Sequence, residues 1–308
     1  MLARFKIVTI FLIVHLFNGI SGQINVTLDV FSGRRNPQWL LLPSNAKFAQ
    51  IKKLLVEARE SNLTYSPNMK PARLGFKGFV VQELTQKEPE LIIGKSTVPL
   101  QQQLFGTLPT GIAIKHIQQG VWTIEKEIYS GQILGTILPQ KFTGRRKRYA
   151  YEITSYPWND IPAAQLNNNC YNYANNKLTY TFAQPGRGSG AMCQYYFPDC
   201  IRNAAINDHL ETLDLPPAAP LPPVPSGKKH LVALVINPVN CSPSSLGVDF
   251  HWYRLDQPGI WTHKPGNTPA TYLDNANQLI KDPRNANRGG YNTFAGFMLS
   301  NRDEVTIA

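Results

Sequence analysis

Cys170, His251 and His263 are the residues of this chain whose types and spacing could do chemistry. Cys170 follows Asn167-Asn168-Asn169, three residues that favour helix starts, and leads into Tyr171-Asn172-Tyr173-Ala174. A thiol at a helix N-terminus meets the positive end of the aligned peptide dipoles, which favours the thiolate. Farther along, Asp249-Phe250-His251-Trp252-Tyr253-Arg254 reads as a strand able to bring an imidazole to that thiol. A thiolate that attacks an acyl carbon, an imidazole that manages the proton and a third group that orients the imidazole form a nucleophilic unit. In that unit Cys170 is the nucleophile, His251 the general base and His263 the orienter of a cysteine hydrolase or transferase acting on amide bonds.

His263 depends on a hairpin register. Val248 to Leu255 and Ile260 to Lys264 form a hairpin around Asp256-Gln257-Pro258-Gly259. A three-residue loop pairs Asp256 with Ile260, which sets His263 opposite Tyr253 on the face of His251; a two-residue loop sends it to the other face. Each residue also has a plain structural reading. Cys170 serves equally as a half-cystine, His251 as a packed histidine beside Trp252, and Thr262-His263-Lys264-Pro265-Gly266 as a polar turn. Cys193 and Cys200 read as a local disulfide, since zinc would want a closer thiol pair and further ligands; neither a metal site nor a cofactor is expected. Trp252, Tyr253 and Trp261 suit either a sugar-binding face or a core.

The elements that must position these residues show in the patterning. Ile24-Asn25-Val26-Thr27-Leu28-Asp29-Val30 alternates like a half-buried strand and runs into the turn Phe31-Ser32-Gly33-Arg34-Arg35-Asn36-Pro37. Ser44 is placed to cap a helix with Phe48, Ile51, Leu54, Leu55 and Ala58 on its apolar face, and Gly75 to Val81 reads as the next strand. This first part is mixed α+β, with no catalytic constellation. In the second part Tyr149 to Ile153 reads as a strand and the Cys170 segment as a short helix. Gly186-Arg187-Gly188-Ser189-Gly190 is a flexible loop without the Gly-Lys-Ser/Thr of a phosphate cradle. Residues 215–225 carry six prolines and form an extended surface connection. His230 to Asn237 is apolar enough for a central strand, and Phe294 and Phe297 of the tail pack back on the sheet.

Bulk properties set the compartment. Arg4 and Lys6, an apolar run from Ile7 to Phe17 and the small residues Gly19, Ser21 and Gly22 form a signal peptide over residues 1–22. The run is too short to span a membrane, and no later stretch suffices. The expectation is a secreted, extracellular chain of two α+β domains: residues 23–144, the basic linker Arg145-Arg146-Lys147-Arg148 as a candidate processing site, and residues 149–308. Four cysteines are too few for a disulfide scaffold. Asn25 and Asn62 head N-glycosylation acceptors, and Asn240 heads a poorer one before Pro243. The net charge of +11 points to an anionic matrix polysaccharide or an acidic matrix protein as partner, not to nucleic acid.

Several strings resemble a known family. Asn168-Asn169-Cys170-Tyr171-Asn172-Tyr173-Ala174, Thr181-Phe182-Ala183-Gln184-Pro185-Gly186-Arg187-Gly188, His251-Trp252-Tyr253-Arg254 and Trp261-Thr262-His263-Lys264-Pro265-Gly266 resemble secreted, mostly uncharacterised proteins that include mollusc insoluble shell matrix proteins. Phe31 to Pro37 and Gly75 to Val80 resemble a segment found with them. The resemblance implies a component of an extracellular organic matrix, such as that of a calcified shell. Without long acidic runs, its role there would be framework and not calcium loading. The order of cysteine on a helix, histidine on a strand and polar residue on the next strand is similar, in arrangement alone, to papain-like and NlpC/P60-type cysteine hydrolases.

Overall fold

The computed structural model describes residues 22–109, 157–193, 197–216, 218–223, 225, 227, 229–238 and 248–308. The expected signal segment up to residue 21, the basic quartet Arg145 to Arg148, the strand at Tyr149 and the Asn240 sequon lie outside them.

Near the N-terminus the alternation seen in the sequence becomes β1 (Ile24–Asp29), whose Ile24, Val26 and Leu28 are buried while Asn25 faces solvent. It lies at the centre of an antiparallel sheet with β2 (Gln38–Leu41), β3 (Gly78–Glu83) and β4 (Glu90–Ile92), in the order β2-β1-β3-β4. Helix α1 (Phe48–Glu60) lays Ile51, Leu55 and Ala58 into the same core, joined there by α2 (Val98–Phe105) through Leu100 and Leu104. Ser44 does not cap α1. Lys47 takes the cap position without a side-chain bond, because Asn45 accepts from Lys47 N–H and turns the chain there first.

The later part builds a five-stranded antiparallel sheet, β5-β9-β6-β7-β8, from β5 (Glu211–Leu213), β6 (Lys229–Pro238), β7 (Val248–Gln257), β8 (Ile260–His263) and β9 (Thr293–Asn301). Central β6 is buried on both faces, as its apolar run requires. Val232, Leu234 and Ile236 meet Phe250, Trp252 and helical residues on one side; Leu231, Ala233 and Val235 meet Tyr253 and Trp261 on the other. Phe294 and Phe297 pack on this sheet as expected, from within its strand β9 and not from a loop. Three helices serve it: α3 (Pro162–Asn167), α4 (Cys170–Ala174) and α5 (Pro198–Asn207). The chain is thus α+β with antiparallel sheets. The 186–190 segment is not flexible. Buried Asp208 accepts from Gly186 N–H, Ser189 N–H and the Ser189 hydroxyl, and a Cβ at Gly188 would strike the backbone of Thr306.

The two parts are joined at Leu74, which exchanges hydrogen bonds with Asn275 and is buried under the second sheet, and at a hairpin tip. β1 and β2 are joined by residues 30–37, and Asn36 braces that tip: its Oδ1 accepts from Val30 and Phe31 N–H, and its Nδ2 donates to Asp29. Asp29, fully buried, pairs with Lys70 (2.6 Å) and Lys77 (3.2 Å), and Lys77 Nζ also donates to Phe31 O (3.0 Å). Burial opposes charge on Asp29, but the two ammonium groups prevail and hold its carboxyl below the usual range. Breaking such a buried set by removing one partner leaves charge without compensation. Asp29→Ala is therefore expected to lower stability in urea unfolding by about 3–5 kcal/mol; a loss under ~1 kcal/mol, the scale of a surface pair, would contradict this reading.

Candidate functional site

The asparagine string explains the placement of Cys170. Asn169 is the N-cap of α4: its Oδ1 accepts from Tyr171 and Asn172 N–H, and Asn172 Oδ1 accepts back from Asn169 N–H, a reciprocal cap. Asn168 Oδ1 accepts from Thr179 and Tyr180 N–H while its Nδ2 donates to Ala164 O. Lys264, fully buried, donates to the carbonyls of Gln165, Asn168 and Gly266 and so ties the end of α3 to the loop after β8. With no carboxylate among these partners, burial pulls Lys264 down to about 7.

β8 pairs with β7 only from Tyr253 onward, and among the described residues no strand covers that edge of β7 before Tyr253. Cys170 lies against this edge. Its thiol donates to Phe250 O at 3.8 Å, and Trp252 N–H faces the sulfur. The expectation of a thiolate fails. Burial first, and the nearby Asp249 second, push the thiol up to about 12, because a five-residue helix offers little dipole against complete desolvation.

The hairpin register places His263 opposite Tyr253 as expected, but by a different turn. Gln257 pairs with Ile260 across Pro258-Gly259, and a bulge at Asp256 restores the register that follows. His251 Nε2 and His263 Nδ1 are 2.9 Å apart, and His263 Nε2 is 2.9 Å from Leu273 O. A carbonyl can only accept, so His263 carries its proton on Nε2, and His251 donates from Nε2 to His263 Nδ1. His251 Nδ1 is then an acceptor, and it receives the Ser32 hydroxyl at 2.5 Å.

Ser32 is the residue that sequence reading missed, and it overturns the view that the first part holds no member of the constellation. It belongs to the hairpin tip of the N-terminal sheet, 219 positions from His251. Its hydroxyl also lies beside the Cys170 thiol, so Ser32 stands between Cys170 and His251. Asp249, two residues before His251, secures the tip: it accepts from Ser32 N–H (2.6 Å), Gly33 N–H (3.1 Å), Arg34 N–H (3.1 Å) and the Tyr291 hydroxyl (2.5 Å). Burial pushes this carboxyl up, against those four donors. Gly33 O accepts from Asn169 Nδ2 and Gln184 Nε2, each at 2.7 Å. A Cβ on Gly33 would collide with the Phe250 ring. The sequence signal for all this was the turn Ser32-Gly33, which alone names no partner.

Other expected sites fall elsewhere. Cys193 and Cys200 form a disulfide, and Cys170 is a free thiol. Trp252, Tyr253 and Trp261 are fully buried and offer no ring to a sugar. Asn25 and Asn62 are exposed. Among the described residues no group of acidic, histidine and cysteine side chains could hold a metal, and no helix is long and apolar enough to cross a membrane.

Both imidazoles are held neutral. Burial brings His263 down to about 4, and burial, His263 and Lys77 bring His251 well below its usual 6.5. Histidines of the unfolded chain take up protons first as pH falls through about 6.5, so the stability these residues contribute is full above that pH and is lost toward pH 4. His263 alone accounts for about 3 kcal/mol. Urea midpoints should fall between pH 7 and 4, and His263→Gln should flatten that fall; an unchanged pH slope in the variant would contradict the assignment.

No protein-family model matches the chain, and no solved structure matches it. Insoluble matrix shell protein 1 of the mollusc Ruditapes philippinarum is 42% identical over 141 residues, 46% of this chain and 84% of the relative. Since most of that relative is covered at this identity, the chain belongs to the family of insoluble matrix shell protein 1.

Proposed function

We propose that the protein is a secreted framework component of the extracellular organic matrix of a calcified shell. Membership of the shell matrix family carries this reading. The site supports it from the side of physics: Cys170, His251 and Asp249 are at most 1% exposed, and the thiol and both imidazoles are held uncharged. A cluster so buried and so completely hydrogen-bonded fastens one sheet to the other. The charge of +11 fits attachment to an anionic polysaccharide or acidic matrix protein through surface cations, and exposed Asn25 and Asn62 fit glycosylation in the secretory route. Decalcification of shell and mass spectrometry of the organic residue should find peptides of this chain in the insoluble fraction, released by salt in part where cation pairing holds it. Recovery only from cell lysate would end the proposal.

A second reading rests on the hydrogen-bonded line from Ser32 through His251 and His263 to Leu273 O, with the Cys170 thiol beside its Ser32 end. With the hairpin tip withdrawn, Cys170 and His251 would form the nucleophile and base of a cysteine hydrolase or transferase on amide bonds, with His263 fixing the tautomer. On peptide amides, Cys170→Ala should lower turnover by on the order of 10³-fold or more. Equal turnover by wild type and variant would remove this reading.

A further inference from the structure

The hairpin tip is bound as a peptide ligand is bound. Three successive N–H groups, of Ser32, Gly33 and Arg34, converge on one carboxylate, and the carbonyl of Gly33 sits between two side-chain amides, Asn169 and Gln184. All these contacts except the Ser32 hydroxyl are to backbone. The groups that hold the tip are side chains, one from β7, one from the cap of α4 and one from the loop after it, and they recognise main chain as a peptide-binding site does. Selectivity enters at one position. The Phe250 ring closes over Gly33 and admits no Cβ. Past Arg34 the seam opens into a cleft of about 330 Å³ lined by Arg35, Asn36, Asn167, Tyr180, Phe182 and Asn267. Asn267 of that lining keeps a buried Oδ1 with no hydrogen-bond partner among the described residues.

We propose that this groove is a binding site for an extended glycine-containing peptide segment, which the protein's own Phe31-Ser32-Gly33-Arg34 fills in the closed state. The ligand places a glycine under Phe250, its carbonyl between Asn169 and Gln184 and its amides on Asp249. Such a segment of another matrix polypeptide takes the groove when the tip leaves it. The proposal deepens the second reading by naming a substrate class and rests on it only for turnover; binding stands without it.

The test uses the full chain and the labelled hexapeptide Phe-Ser-Gly-Arg-Arg-Asn, with capped ends, beside the same peptide carrying alanine for glycine. Gly33→Ala expels the tip by collision with Phe250, and Asn36→Ala loosens its root while leaving Asp249, Asn169, Gln184 and Phe250 in place, which keeps the test alive if the first variant fails to fold. Wild type should leave Cys170 unalkylated by iodoacetamide at pH 8 and bind no peptide. A folded variant should be alkylated at least tenfold faster, bind the glycine peptide saturably by fluorescence anisotropy, and be protected from alkylation by it but not by the alanine peptide. Thiol exposure without peptide protection, or equal protection by both peptides, overturns the proposal, as does a thiol as inert in both folded variants as in wild type. Bound peptide that is never cleaved supports the binding site and ends only the hydrolase reading.

Discussion

The carboxylate of Asp249 is the constraint on which the rest depends. It stands on a strand of one sheet and accepts the backbone N–H groups of Ser32, Gly33 and Arg34 from the hairpin of the other, with Tyr291 completing the shell. A buried carboxyl without such donors would cost several kcal/mol; with them it sets the hairpin tip within hydrogen-bonding distance of His251. From that placement follow the position of Ser32, the direction of every hydrogen bond in the histidine pair and the occlusion of Cys170.

The same logic recurs at the other buried polar side chains around α4. Asn168, Asn169 and Asn172 each use both ends of the amide, and Lys264 finds three carbonyls. Tyr171 donates to Asp208, and Tyr173 donates to Thr262 while the Arg254 guanidinium lies over its ring at 4.1 Å. Polar clusters satisfied to this degree rigidify a fold, since moving any member strands the others. That suits a framework protein. It also means that any chemistry at Cys170 requires the whole tip to move, not a single side chain.

The hydrophobic periods made much of this legible. β1, central β6 and the β7–β8 hairpin follow from alternation and turn residues, whereas the facing of His263 with Tyr253 comes from a bulge at Asp256 that the turn residues do not announce. The partner of His251 did not, because Ser32 lies 219 residues away in a turn whose Ser-Gly wording fits countless surface loops. Cys170 misled for a different reason. Its local sequence marks a helix start, which is present, but burial is a property of the assembled sheets and outweighs the dipole of so short a helix. Trp252, Tyr253 and Trp261 were ambiguous on their own strand and became core only once β6 and β9 flanked them.

The central claim is that a hairpin tip is locked into the C-terminal sheet by main-chain bonds to Asp249, and native-state hydrogen exchange of three amides tests it most directly. Ser32, Gly33 and Arg34 should exchange orders of magnitude more slowly than the amides of an exposed turn. Exchange at the rate of an exposed turn, while β6 stays protected, would contradict the account.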